Sequence, residues 1–148
     1  MALSLEYIAG LFDGEGLIGI YRNGLKSKQL TVKVEISNTY LAVLKEVQGI
    51  LGGRVGVKAK SSFTRQQCYV LTFTGCKQVE VLLTALRPFL RIKLEQATFV
   101  LDEWIPEIKK REYARGKPLS DTKKLLRVEM ADQLKKMKRI NSSQELLN

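Results

Sequence analysis

Ile8-Ala9-Gly10-Leu11-Phe12-Asp13-Gly14-Glu15-Gly16 decides how this chain folds. It continues a helix that begins at Leu5, with Ser4 as N-cap and Glu6 in the first turn, where the helix dipole favours a carboxylate. The helix is apolar nearly all round. Leu5, Ile8, Ala9 and Phe12 make one face; Tyr7, Gly10, Leu11 and Gly14 make another. One apolar stripe needs one partner, and this helix needs two. The chain's own core supplies the first, and the second has to be another helix, for instance from a second copy. Gly10 and Gly14 lie four apart on the second face. Glycine inside a helix costs about 1 kcal/mol relative to alanine, and close approach of another helix offsets that cost.

The same stretch ends on Asp13 and Glu15, at the negative pole of the helix, where unpaired carbonyls disfavour a carboxylate. A cation reverses the sign. Carboxylate and carbonyl oxygens are the ligands Mg²⁺ and Ca²⁺ accept. Asp13 reads equally well as a capping or turn carboxylate, whereas Glu15 reads as a metal ligand. One chain supplies few ligands. Two copies of the helix crossing at their glycines would bring two such ends together.

Outward from this helix the pattern predicts two hairpins with helices between them. Leu17 to Asn23 and Leu30 to Ser37 form the first, with Asn23-Gly24 in the connection. Arg54 to Lys60 and Cys68 to Thr74 form the second, with Val55, Val57 and Ala59 inward on one strand and Tyr69, Leu71 and Phe73 inward on the other. Thr39 to Leu51 has helical spacing and stops at Gly52-Gly53. Val79, Leu82, Leu83 and Leu86 mark a helix ending near Pro88; Ile92, Ala97, Val100, Leu101 and Trp104 mark another, stopping before Pro106. The fold class is α+β, with a four-stranded antiparallel sheet, and the whole of 1–148 is read as one domain. Its tail, 109–148, is basic, with a helical segment near Leu119 to Met137. From Lys109 to Arg139 it holds 12 basic and 4 acidic residues, net +8, and most of these lysines read singly as a solvated helix face.

The outer face of the predicted sheet carries Tyr21, Asn23, Thr31, Lys33, Glu35, Ser37, Arg54, Lys58, Lys60, Thr72 and Thr74. Any half-buried antiparallel sheet is polar outside. This mixture, however, joins Arg and Lys, which donate to guanine, with Asn, Ser, Thr and Glu, which discriminate other base edges. The whole chain has 25 Lys+Arg against 15 Asp+Glu, a formal charge of +10. Its pI is about 9.7, in the range of nucleic-acid binders. Charge alone does not choose between DNA and RNA.

Several chemistries are excluded. Without histidine there is no Ser-His-Asp or Cys-His machinery and no imidazole base or ligand. Cys68 and Cys76 form no CxxC pair, so no zinc ribbon. So few cysteines imply a reducing, intracellular setting. No apolar run reaches membrane-spanning length, and the first residues lack a secretory n-region.

Ile8 to Gly16 resembles the signature of the LAGLIDADG homing endonucleases, in the single-motif branch that acts as homodimers. The order helix, hairpin, helix, hairpin, helix over roughly the first hundred residues is similar to that family's αββαββα core, whose sheet is saddle-like. The resemblance implies a homodimer joined through Tyr7, Gly10, Leu11 and Gly14, acting on double-stranded DNA at a long pseudo-palindromic site. Such enzymes leave short 3′ overhangs and are usually encoded within introns or inteins. It implies metal held by Glu15 with the Gly14 carbonyl beside it: Mg²⁺, with Mn²⁺ as a substitute and Ca²⁺ binding without supporting cleavage. Pro88-Phe89-Leu90-Arg91-Ile92-Lys93 resembles the family stretch carrying an active-site lysine, which places Lys93 there. Asn38 falls where the family has a polar residue, often glutamine, that positions water. Two departures stand out: the acidic ligand is Glu, one methylene longer than the usual Asp, and Asn38 is shorter than glutamine. Two other functions fit the same fold, a non-cleaving DNA-binding regulator and an intron maturase acting on RNA.

Overall fold

Ser4 caps α1 (Leu5–Glu15) as its side chain predicts, its Oγ accepting from the Tyr7 amide at 3.2 Å. Ile8, Ala9 and Phe12 are completely buried, which fixes the face α1 turns to the core. The computed structural model describes residues 2–23, 29–58, 66–110 and 119–145, with side chains through Lys138. From Gly16 the chain turns directly into β1 (Gly16–Arg22), followed by β2 (Leu30–Asn38), α2 (Leu41–Leu51), β3 (Arg54–Val57), β4 (Tyr69–Thr74) and α3 (Gly75–Leu86). A 3-10 turn, Arg87–Phe89, leads to α4 (Leu94–Phe99), a π-helical turn over Val100–Trp104, and α5 (Ile105–Lys109). The last element is α6 (Asp121–Glu145).

The strands form one antiparallel sheet in the order β1-β2-β4-β3. The two hairpins therefore meet along β2 and β4. Alternation works as the sequence predicts: Ile18 and Ile20, Val32, Val34 and Ile36, and Leu71 and Phe73 are buried under the helices. The four residues that mark α3 in the sequence, Val79, Leu82, Leu83 and Leu86, are buried with them. α2 stops at Gly52 and Gly53 because both adopt positive φ, 84° and 91°, which side chains strongly disfavour.

Two expectations need correction. β3 ends at Val57, which is 68% exposed rather than inward: it lies on the core side of the sheet but on an edge strand that overhangs the helices. Ala59 and Lys60, the rest of that predicted strand, lie outside the described residues, as does Gly24. Second, the helix after Lys93 does not stop at Pro106, nor does it begin at Ile92, which is 53% exposed. It runs on through α5. The wider π-turn before Pro106 displaces the carbonyl that the proline ring would meet and that its missing N–H would have bonded. α6 keeps Lys123, Lys124, Lys135 and Lys136 exposed, as the charge pattern predicts, and its other face packs on the core. Ala131 and Leu134 are buried, Met130 and Met137 pack on the core, and the helix lies against β1 and α4.

Candidate functional site

α1 delivers Gly14 and Glu15 to the surface at the point where the chain enters the sheet, and both are exposed. Asp13, two residues before Glu15, does something else. Its Oδ2 accepts from the Arg91 amide and its Oδ1 from the Lys93 amide, both at 2.9 Å. The carboxylate thus clamps residues 91–93 onto the end of α1. Lys93 completes the joint: its ammonium donates to the Asp13 carbonyl at 2.6 Å and lies 5.9 Å from the centre of the Phe12 ring. A cation on the last carbonyls of a helix is favourable for the dipole. The Asp13 carboxylate therefore tethers a remote segment and does not cap or turn its own helix. Lys93 and Glu15, 78 residues apart in sequence, come to the same corner of the molecule.

Asn38 ends β2, two residues past Ile36, the partner of Gly16, so it stands at the same end of the sheet as Glu15. Its Oδ1 accepts from the Tyr40 amide at 2.8 Å, an Asx turn that starts α2.

The donors present suit a hard cation. Glu15 offers a carboxylate, and Gly14 a carbonyl with no atom within 4 Å of where a Cβ would stand. Among the described residues no three His, Cys, Asp or Glu side chains cluster as metal ligands.

On the second face of α1, Tyr7 is 53% exposed, Gly10 and Gly14 are exposed and Leu11 is half-buried. Around Gly10, as around Gly14, the space where a Cβ would sit is open. Within one chain nothing approaches the glycines.

The outer sheet face is laid out in rows by the register. Tyr21 is opposite Thr31; Gly19, Lys33 and Thr74 form the next row; Leu17, Glu35, Thr72 and Arg54 the third; Ser37, Val70 and Gly56 the fourth. Lys33 sits between two partners, 2.8 Å from Glu35 and 5.1 Å from the Tyr21 ring centre. Tyr21 leans over Gly19, where a Cβ would collide with its ring. Burial and the Glu35 carboxylate push the Tyr21 phenol above its ordinary range against a smaller pull from Lys33, so it stays a hydrogen-bond donor. Lys58 reaches Ser37 at 3.4 Å, and Asn23 is exposed at the hairpin end. Arg54, Gly56, Thr72, Thr74 and Gln78 line a depression of about 500 Å³. Every predicted face residue that is described lies on this side; Lys60 lies outside the described residues. Leu17, Val70 and Gln78 were not foreseen. Leu17 and Val70 follow from strand parity, and Gln78 from its place one turn into α3, where Oε1 accepts from the Thr74 amide at 3.0 Å.

No curated protein sequence matches the chain significantly. Solved structures do. The homing endonuclease I-CvuI, in complex with a DNA target, superposes with a TM-score of 0.68 at 21% identity, over 90% of this chain and 80% of that one. An archaeal intron-encoded homing endonuclease, I-Vdi141I, in complex with DNA gives 0.67 at 21% identity, over 90% and 82%. The homing endonuclease I-TnaI gives 0.68 at 16% identity, over 95% and 99%. At these identities the likeness is one of fold. The profile of the LAGLIDADG-like domain matches residues 2–86, from ahead of α1 to the end of α3. With the motif helix, the paired hairpins and this match over more than half its length, the chain belongs to the LAGLIDADG family.

Proposed function

We propose that the chain is a homodimeric, sequence-specific endonuclease of double-stranded DNA that hydrolyses phosphodiester bonds with a divalent metal. One observation carries the reading: at the end of α1 the Lys93 ammonium donates to the carbonyl of Asp13, two residues before Glu15, where the chain enters a sheet with a polar, partly basic outer face. The fold is shared with homing endonucleases, two of whose structures contain I-CvuI with a DNA target in Mg or in Ca.

In this mechanism Glu15 and the Gly14 carbonyl of each copy would hold Mg²⁺, which would supply charge stabilisation for phosphodiester hydrolysis. Lys93 holds positive charge at the scissile phosphate. Asn38, fixed by its Asx turn, orients solvent toward that phosphate. Asp13 positions Lys93 without touching substrate. The test is incubation of the purified protein with the DNA that flanks its gene, in Mg²⁺ and in EDTA. Discrete double-strand cuts in Mg²⁺ alone are expected. Binding without cuts under any divalent metal would leave only a DNA-binding protein.

The sheet face makes a second, independent expectation. Lys33 is held by Glu35 and Tyr21 before DNA arrives, so the trio acts as a preset reader. Glu35→Gln releases Lys33, and site selection should change at one base pair and its symmetry mate, by about 1–3 kcal/mol per pair. Arg54 and Lys58 variants should change other positions. A selection profile identical to wild type in all three would remove the sheet from recognition.

A further inference from the structure

The row of outward positions formed by Gly19, Lys33 and Thr74 stops at β4. β3 begins only at Arg54, opposite Thr72, so among the described strands nothing pairs with Thr74 on its other side. The sheet face is notched at this corner, and the notch is the depression that Arg54, Gly56, Thr72, Thr74 and Gln78 line. Four of those residues belong to the strands; Gln78 comes from α3. The backbone decides how its amide is turned: the Thr74 N–H is a donor, so it takes Oε1, at 3.0 Å. With the oxygen committed, what the amide offers a ligand is the N–H groups of Nε2. Arg54 is donor-only by its chemistry. It is exposed, and among the described residues it has no ion pair and no side-chain hydrogen bond. The carboxylate in its row, on Glu35, is engaged by Lys33 at 2.8 Å.

Resting on the function proposed above, we infer that Gln78 is a specificity-determining residue: together with Arg54 it reads one guanine in each half of the DNA site. In the major groove guanine presents two adjacent acceptors, N7 and O6. Adenine pairs an acceptor with a donor, thymine has one acceptor beside a methyl group, and cytosine has a donor. Two donor groups lining one depression match guanine alone. A glutamine free to turn its amide suits adenine, giving one hydrogen bond and taking another. The bond to the Thr74 amide removes that freedom, so one side chain both starts α3 and sets the choice of base. The hydroxyls of Thr72 and Thr74 donate or accept as needed and leave that choice unchanged. Gly56 brings no side chain to fill the space.

The probe is a library of randomised DNA duplexes, selected in EDTA by the wild-type protein, Gln78→Glu, Gln78→Met and Arg54→Met. The wild type should hold guanine at one position of each half-site. Gln78→Met and Arg54→Met should each relax that position by at least about fivefold, the low end of what one mismatched pair costs, and leave the others intact. Gln78→Glu separates reading from structure, and serves if the methionine variant does not fold. Its carboxylate still accepts from the Thr74 amide, at the helix end that favours negative charge, so the melting temperature should equal or exceed that of the wild type. It has no N–H to give, so the preference should leave guanine and turn to cytosine, whose N4 amino group donates. An unmoved profile in Gln78→Glu leaves Gln78 a purely structural residue and overturns the inference while the endonuclease reading stands. A loss of affinity equal for all sequences marks a backbone phosphate and overturns it too. So does a change at a position other than the one Arg54→Met relaxes. A wild type that selects no duplex overturns the endonuclease reading and the role of Gln78 with it.

Discussion

Glu15→Gln is expected to remove strand cleavage, by about a hundredfold or more, while leaving DNA affinity in EDTA unchanged and thermal stability equal or higher. Even the partners that orient a metal ligand count for about 10–100-fold, and this substitution removes the ligand's charge itself. The stability arm follows from position. Glu15 is the last residue of α1, where an ionised carboxylate faces the negative pole. In a dimer a second copy would stand close by, and like charges add to the repulsion. Glutamine keeps the size and relieves both. Asp13→Asn should behave in the opposite way. That carboxylate accepts from two backbone amides, and an asparagine side chain keeps one acceptor oxygen. It should lose about 1.5 kcal/mol of stability, the lower figure for a bond to an ionised group, because the Arg91 amide is exposed. Cleavage should fall together with stability as residues 91–93 detach and Lys93 with them. Melting curves beside Mg²⁺ cleavage rates separate the two carboxylates. Near-native cleavage by Glu15→Gln would sink the metal assignment.

That contrast marks where sequence stops informing. The position of Glu15 is local: motif, helix and register deliver it from nine residues, and the two adjacent carboxylates are equivalent on that scale. What separates them is a pair of hydrogen bonds to amides about 80 residues away, which no local pattern encodes. Lys93 was placed by resemblance, and its contact with the Asp13 carbonyl supplies the physical reason for its place. The strands were legible where both faces have a clear fate, as in β2, whose inward valines and isoleucine are wholly buried. Val57 was not, because alternation reports which way a side chain points and not whether anything lies beneath it. Pro106 reads as a stop on α-helical rules, and a π-turn, which has no composition signature, lets the helix pass. The packing of α6 was hidden for a related reason. Its buried stripe is narrow and bounded by Arg127 and Lys138, so charge masks the periodicity that Ala131 and Leu134 carry.

The dimer yields the second large effect, and Gly10 isolates it. Among the described residues no atom lies within 4 Å of where a Cβ at this position would sit, and the helix there is exposed. If the protein worked as a monomer, Gly10→Ala would gain helix propensity and raise stability by about 1 kcal/mol. If a second α1 packs across the glycine, the added methyl stands where the partner backbone belongs, and the same substitution destabilises. Gly10→Leu extends the clash beyond what small shifts absorb, so it should give folded monomer or aggregate. The opposing signs make the test sharp, since propensity and packing predict different directions from one atom. A two-fold interface of this kind is self-complementary, so each substitution is felt twice. Sedimentation at micromolar concentration should show a wild-type dimer and its loss in Gly10→Leu, with helical circular dichroism retained in the monomer. Cleavage should vanish with the dimer, because the proposed metal site takes Glu15 from both chains. A wild type that sediments only as a monomer, together with a stabilised Gly10→Ala, would leave the second face of α1 without a partner and the paired metal site without its other half.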